Sequence, residues 1–242
     1  MIYAVPLFLL LRKAIPLTVP GDRPGPSSTG PGRALRELLG NGSFLLLVAY
    51  FTLPALAGWI VRDWMPAILK AEFGIGQGLA GVSATFYWQS AAIVGAIAGG
   101  WLADRWMRTT PRGRIRTSAV GMMLIVPAMF GVGYAPQTGL LWVAVAFLIL
   151  FGLGWGFFDC NNMPILCQIA RPELRATGYG IMNFVSISCG GFADWGFGMM
   201  RDRHVPLFGI FGVFASAAVL STFLVLLIRL RETESGQAVA GH

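Results

Sequence analysis

Four ionisable side chains, Arg62, Asp63, Asp159 and Asp194, interrupt stretches that otherwise hold almost no charge. Each sits on a polar stripe at helical spacing. Thr52, Trp59, Arg62 and Asp63, with Pro66, share the first stripe. Trp155, Asp159 and Asn162 form the second, ahead of Pro164, and Asn183, Ser186, Gly190 and Asp194 form the third. An arginine beside carboxylates clamps an anion through charge-assisted hydrogen bonds. A carboxyl held in an apolar cavity exchanges protons near neutrality. Three helices with one polar face each are expected to turn those faces toward a common aqueous cavity.

The elements that must position these stripes are long and apolar. The 242 residues are 55% hydrophobic and 12% charged, with mean hydropathy +0.66. A soluble domain carries about 25% charged residues, so this chain lacks the polar surface to cover a water-facing sphere. It reads as an all-α membrane protein. Six spans are predicted, roughly Phe44–Leu69, Val82–Ala103, Thr117–Tyr134, Gly139–Ile169, Ala176–Met200 and Pro206–Ile228. Each is long enough to cross a hydrocarbon core of ~30 Å. A charge at the centre of that core costs ~2.5–3.5 kcal/mol on insertion scales, which makes the four interrupting charges the candidates for function.

Around the spans, residues 1–13 read as the end of a transmembrane helix whose beginning is missing. Met1 to Leu11 is apolar, and about 11 residues of helix reach only ~16 Å. Residues 14–43 form a cytoplasmic linker rich in Pro and Gly, with a short interfacial helix expected over Ala34 to Leu39. Residues 44–230 make the six-helix domain, and 231–242 a disordered cytoplasmic tail.

The second span closes on Gly99-Gly100-Trp101-Leu102-Ala103-Asp104-Arg105-Trp106 and opens a run of Arg105, Arg108, Arg112, Arg114 and Arg116. With the linker, Arg171, Arg175, Arg229 and Arg231, these put most cations on one side. Only Lys70, Arg201 and Arg203 fall on the other. The positive-inside rule then places both termini in the cytoplasm and the chain in the cell (inner or plasma) membrane. The same rule accounts for the net charge of +7, which argues against a nucleic-acid partner.

The loop Gly100-x-x-x-Asp104-Arg105 with Arg114 after it resembles the signature loop of the major facilitator superfamily of secondary transporters. Residues 171–180, Arg-Pro-Glu-Leu-Arg-Ala-Thr-Gly-Tyr-Gly, are similar to that family's loop before its eleventh helix. The Pro/Gly-rich linker matches its central cytoplasmic connection. An insertion, Met107 to Arg112, departs from the tighter family pattern. The resemblance covers Phe44 to Arg231 and implies the C-terminal six-helix half, built as two inverted three-helix repeats. A short echo, Gly100-x-x-x-Asp104-Arg105 against Gly198-x-x-x-Asp202-Arg203, agrees with such a repeat.

What the resemblance implies is cation-coupled alternating access for a small polar or anionic solute, such as an organic anion, sugar or sugar acid. The partners are then that solute, a coupling proton or sodium ion, the lipid bilayer and a missing N-terminal six-helix half. No cofactor and no metal are expected. Trp59, Arg62, Asp63, Trp155, Asn162 and Asn183 are the expected solute contacts, and Asp159 and Asp194 the coupling acids. Gly100, Asp104, Arg105 and Arg114 are expected to form a conformational latch. Drug or metabolite efflux is the alternative within transport, and a non-transporting scaffold or regulator the alternative outside it.

Simpler readings compete at each site. Arg62 and Asp63 reach the outer headgroups, Asp159 sits at an inner helix end near water, and Asp194 only neutralises Arg201 or Arg203. Gly95-x-x-x-Gly99 and Gly152-x-x-x-Gly156 read as close-packing faces. Cys160, Cys167 and Cys189 have no metal-like spacing and read as small hydrophobes. Enzyme signatures are absent: there is no His-Glu-x-x-His, Gly-x-Ser-x-Gly or P-loop.

Overall fold

In the computed structural model, residues 30–230 are described. The helix end expected at 1–13, most of the linker and the tail from 231 lie outside the described residues. A short helix α1 (Pro31–Leu39) precedes six long ones: α2 (Gly42–Phe73), α3 (Gln77–Met107), α4 (Gly113–Thr138), α5 (Leu141–Ile169), α6 (Arg175–Asp202) and α7 (Leu207–Leu227). A single 3₁₀ turn, Pro172–Leu174, links α5 to α6. Among the described residues there is no strand.

The helix limits follow local chemistry. The Asn41 side chain accepts from the backbone N–H of Ser43 at 3.0 Å and of Phe44 at 3.3 Å, closing the first turn of α2. Gly74 and Gly139 end α2 and α4 at φ +64° and +66°, a conformation that glycine takes without a Cβ clash. Pro206 opens α7. Pro54, Pro66, Pro127, Pro136 and Pro164 lie inside helices that continue past them, as transmembrane helices permit.

The helices outrun the apolar spans. The α3 helix begins at Gln77 rather than Val82 and continues to Met107, and α4 starts at Gly113, within the arginine run. Apolar composition marks only the part of a helix that meets hydrocarbon, while hydrogen bonding carries it onward. α2, α4, α5 and α7 are each long and apolar enough to cross a membrane. α3 and α6 match them in length, with 31 and 28 residues. Their more polar composition comes from residues such as Gln77, Gln89, Asn183 and Asp194.

At the centre, α5 packs against α3 on one side and α4 on the other. Both seams are built on glycine. A Cβ at Gly95 would meet the backbone of Leu153, one at Gly152 the backbone of Trp88, and one at Gly156 that of Ala92. Across the other seam, Gly121 and Gly154 face each other, and a Cβ on either would lie 2.7 Å from the carbonyl oxygen of its partner. The pairing Gly95/Gly99 against Gly152/Gly156 is the close-packing face expected from the sequence.

The packing pattern is preserved when α2, α3 and α4 are exchanged for α5, α6 and α7. α5 packs on α3 and α4, α2 packs on α6 and α7, and α4 meets α7. The two Gly-x-x-x-Asp-Arg segments end α3 and α6, which this exchange makes equivalent. α1 docks at the end of the bundle that also holds the α3–α4 and α5–α6 connections. Its Ala34 and Leu38 are buried, and Glu37 pairs with Arg171. At the far end, Arg201 of α6 pairs with Glu72 of α2 at 3.0 Å.

Replacing Gly121 by Ala should therefore lower the thermal unfolding midpoint of the purified chain, because overpacking typically costs about 1–3 kcal/mol. Gly191, whose added Cβ would meet nothing within 4 Å, is the control. Gly191→Ala should unfold at the parent temperature or above it, since Ala favours helix over Gly by about 1 kcal/mol.

Candidate functional site

A cavity of about 370 Å³ opens between α2, α3, α5 and α6. Six aromatic residues line it: Phe51, Trp59, Trp88, Trp155, Phe158 and Tyr179. Polar groups enter at Arg62, Gln89, Asp159, Asn183 and Ser186. The three polar stripes thus converge, with α3 as a fourth wall.

The indoles are seated by glycines on neighbouring helices. A Cβ at Gly58 would run into the ring of Trp155, and one at Gly190 into the ring of Trp59. Trp155 also stands edge-on to Trp88 at 6.3 Å and to Phe158 at 5.3 Å between centroids. Such a network holds the ring orientation through many small contacts.

Arg62 lies over the Trp59 ring at 4.0 Å and donates from Nε to Asp63 Oδ1 at 3.0 Å. Asp63 itself points past the cavity lining, and both side chains are exposed at its mouth. Asp194 is also outside the lining, beside Trp64, Asp63 and Arg62, with its Oδ1 buried and lacking a hydrogen-bond partner. It makes no ion pair with Arg201 or Arg203 among the described residues; Arg201 is held by Glu72.

Asp159 faces the cavity, and Asn162, only 1% exposed, stands behind it, donating from Nδ2 to Asp159 Oδ1 at 3.5 Å. Asn183 lines the wall and donates to the Tyr179 carbonyl at 2.9 Å, which leaves its own oxygen free to accept. Of the expected contacts, then, Trp59, Arg62, Trp155, Asp159 and Asn183 are gathered in one place. Asp63, Asn162 and Asp194 form a second layer around it. Sequence reasoning passed over Trp88, Gln89 and Gly58. Gln89 had a signal, as an amide set in the uncharged run from Thr85 to Ala103. Gly58 had none, because its importance depends on a ring from another helix.

The second site is the turn between α3 and α4. Asp104 accepts from Arg114 Nη2 at 2.9 Å, and Arg114 Nη1 reaches Asn161 Oδ1 of α5 at 3.4 Å. Arg105 sits over Trp101 at 5.9 Å. A Cβ on Gly100 would meet nothing within 4 Å, so this glycine faces open space in the six-helix unit. The segment Met107 to Arg112 is also engaged. Arg112 Nη2 donates to the Leu226 and Ile228 carbonyls at 2.7 and 3.0 Å, and Gln168 donates to the Pro111 carbonyl at 3.2 Å. Asn161 and Arg112 are the participants the sequence did not single out.

The sequence profile described as Major Facilitator Superfamily matches residues 1–193. The chain belongs to the Major Facilitator Superfamily. This major facilitator chain is 25% identical over 167 residues to an MFS-type efflux pump of Mycolicibacterium smegmatis (strain ATCC 700084 / mc(2)155), covering 69% of the chain and 38% of that pump. Its fold is similar to the proton:xylose symporter XylE bound to 6-bromo-6-deoxy-D-glucose. That superposition gives a TM-score of 0.55 at 15% identity, over 78% of this chain and 43% of that one. It is also similar to a bacterial homolog of the human lysosomal transporter Spinster in an inward-facing, unoccupied conformation. There the TM-score is 0.56 at 15% identity, over 93% of this chain and 55% of that one. The major facilitator chain therefore spans well under two thirds of each relative.

The turn yields an asymmetric expectation. Asp104 is exposed and its pair with Arg114 is a surface one, so Asp104→Asn should cost at most about 1 kcal/mol of stability. Arg114→Ala also strands the oxygen of buried Asn161, which adds a penalty of about 1–3 kcal/mol. Chemical denaturation of the two variants should rank Arg114→Ala well below Asp104→Asn, and equal midpoints would contradict that ranking.

Proposed function

We propose that the chain forms one half of a cation-coupled secondary transporter, working against a second six-helix half around the aromatic cavity. The observation that carries this reading is the convergence of Trp59, Arg62, Trp155, Asp159 and Asn183 on one cavity of about 370 Å³. Charges are expensive at membrane depth unless paired or wet, and here they share a single opening. The solute expected from the sequence is a small polar or anionic one, with Trp59, Arg62, Trp155 and Asn183 as its contacts and Asp63 and Asn162 as their supports. Asp159 or Asp194 would carry the coupling proton or sodium ion. A second reading, efflux of a drug or metabolite, is favoured by the name of the M. smegmatis relative.

In this reading Gly100, Asp104, Arg105 and Arg114 act as a latch. The Asp104–Arg114–Asn161 chain ties three helices together at one end, and breaking it changes how fast the end opens. Both chain ends and the arginine turn face the cytoplasm of a cell whose plasma or inner membrane holds the protein. The cations Arg105, Arg108, Arg112, Arg114 and Arg116 share that end with α1, while Lys70, Arg201 and Arg203 sit at the other.

Counterflow and uphill flux in vesicles holding the complete transporter separate the roles. Of Asp159→Asn and Asp194→Asn, the variant that loses uphill flux while retaining solute exchange marks the coupling acid. Asp104→Asn should slow flux while half-saturation stays within a few fold. Wild-type uphill flux in all three variants would remove both the coupling and the latch assignments.

Orientation is tested on its own. In a cysteine-free background, single cysteines at Gln137 and His204 should react with an impermeant maleimide added outside. A cysteine at Thr109 should not, and strong outside labelling there would reverse the topology.

A further inference from the structure

We propose that the cavity between α2, α3, α5 and α6 takes an organic cation, with Asp159 as its counter-charge and the aromatic rings as its walls. This names a solute class for the transport reading and rests on it. It also departs from the anionic solute that Arg62 suggested.

Around the cavity and its mouth stand one guanidinium, Arg62, and three carboxylates, Asp63, Asp159 and Asp194. Arg62 is partly taken up by its own helix: Asp63 accepts from its Nε at 3.0 Å and Trp59 covers its π face at 4.0 Å, which leaves the two Nη groups for a solute. An anionic solute at those Nη groups would lie beside Asp63 and share the cavity with Asp159, and such like-charge neighbours oppose its binding.

Asp159 is in the opposite situation. Among the described residues it makes no ion pair, and its one hydrogen bond is the 3.5 Å contact from the Asn162 amide. It faces a space that is large enough for a guest. About 370 Å³ lies at the lower end of ligand pockets, which run from about 300 to 1,000 Å³.

The walls suit the same guest. Trp88, Trp155 and Phe158 form a continuous edge-to-face series beside Asp159. Aromatic faces attract ammonium and other soft cations, most strongly where water is excluded. A carboxylate flanked by indole and phenyl rings therefore supplies both halves of organic-cation recognition, charge and polarisable surface. Gln89 and Asn183 remain available to hydrogen-bond a polar substituent.

The test uses the full chain, purified in lipid nanodiscs, with tetraphenylphosphonium as the cationic probe and glucuronate as the anionic one. Intrinsic tryptophan fluorescence reads binding, since Trp59, Trp88 and Trp155 all line the cavity. Tetraphenylphosphonium should quench saturably. Asp159→Asn should weaken it by about tenfold or more, the scale of removing one partner of a desolvated charge pair. Asp159→Glu, which keeps the charge, should retain most of the affinity and guards against a folding defect in the amide variant. Arg62→Ala should tighten tetraphenylphosphonium binding, because it removes the cation at the cavity mouth and frees Asp63. Saturable glucuronate binding lost in Arg62→Ala would overturn the cation class while leaving the transport reading standing. Tetraphenylphosphonium quenching that is indifferent to Asp159→Asn, or absent altogether, would also overturn it, and the flux assays above judge transport independently.

Discussion

The whole bundle hangs on how closely α5 can approach its neighbours. Carbonyl oxygens of Leu153 and Gly154 on α5, and of Trp88, Ala92 and Gly121 opposite, lie where a Cβ on the facing glycine would be. Such contacts bring two helix backbones together without a hydrophobic driving force, which lipid does not provide between helices. Once α5 is wedged between α3 and α4, its remaining face has one direction left. That face carries Trp155, Asp159 and Asn162, and it points toward α2 and α6. The site is therefore a by-product of packing on the other side of the same helix.

The same logic explains why the polar residues do not all end up equivalent. A helical stripe of three or four residues is wider than the opening it meets. Asp159 and Trp155 reach the opening, while Asn162 is carried behind it and becomes a support for Asp159. On α2, Trp59 and Arg62 line the wall, and Asp63, one residue further round, turns outward and holds Arg62 from the mouth. Selection among neighbouring polar residues is thus set by angles of a few tens of degrees, and those angles are set by the glycine seams.

Much of this was legible in the sequence. The six long helices fall where the apolar runs fall, because a hydrocarbon-length run has few alternatives to helix. The turn of α3 into α4 was readable from Asp104, Arg105 and Arg114, since charge near a span end has a restricted set of roles. The convergence of three stripes followed from the cost of leaving them in lipid. What escaped was whatever depends on a neighbour far away in the chain. Gly58 matters because Trp155 sits on it, Asn161 matters because Arg114 reaches it, and Trp88 and Gln89 matter because α3 happens to close the fourth wall. Local spacing holds no information about such meetings. Helix limits were also blurred, since hydropathy stops at the headgroups while α3 runs on from Gln77 to Met107.

The arginines at the α1 end carry two messages that are read at different times. In the proposed topology only their charge counts during insertion, and any cation would hold that end back from crossing. In the folded bundle Arg112 closes the last carbonyls of α7, and Arg175 does the same for Cys167 and Ala170 at the end of α5. Arg175 does so with two nitrogens of its planar fork, a geometry that lysine lacks. Orientation and closure of the helix ends are therefore separable properties of the same side chains, so a chain that threads correctly can still leave its helix ends loose.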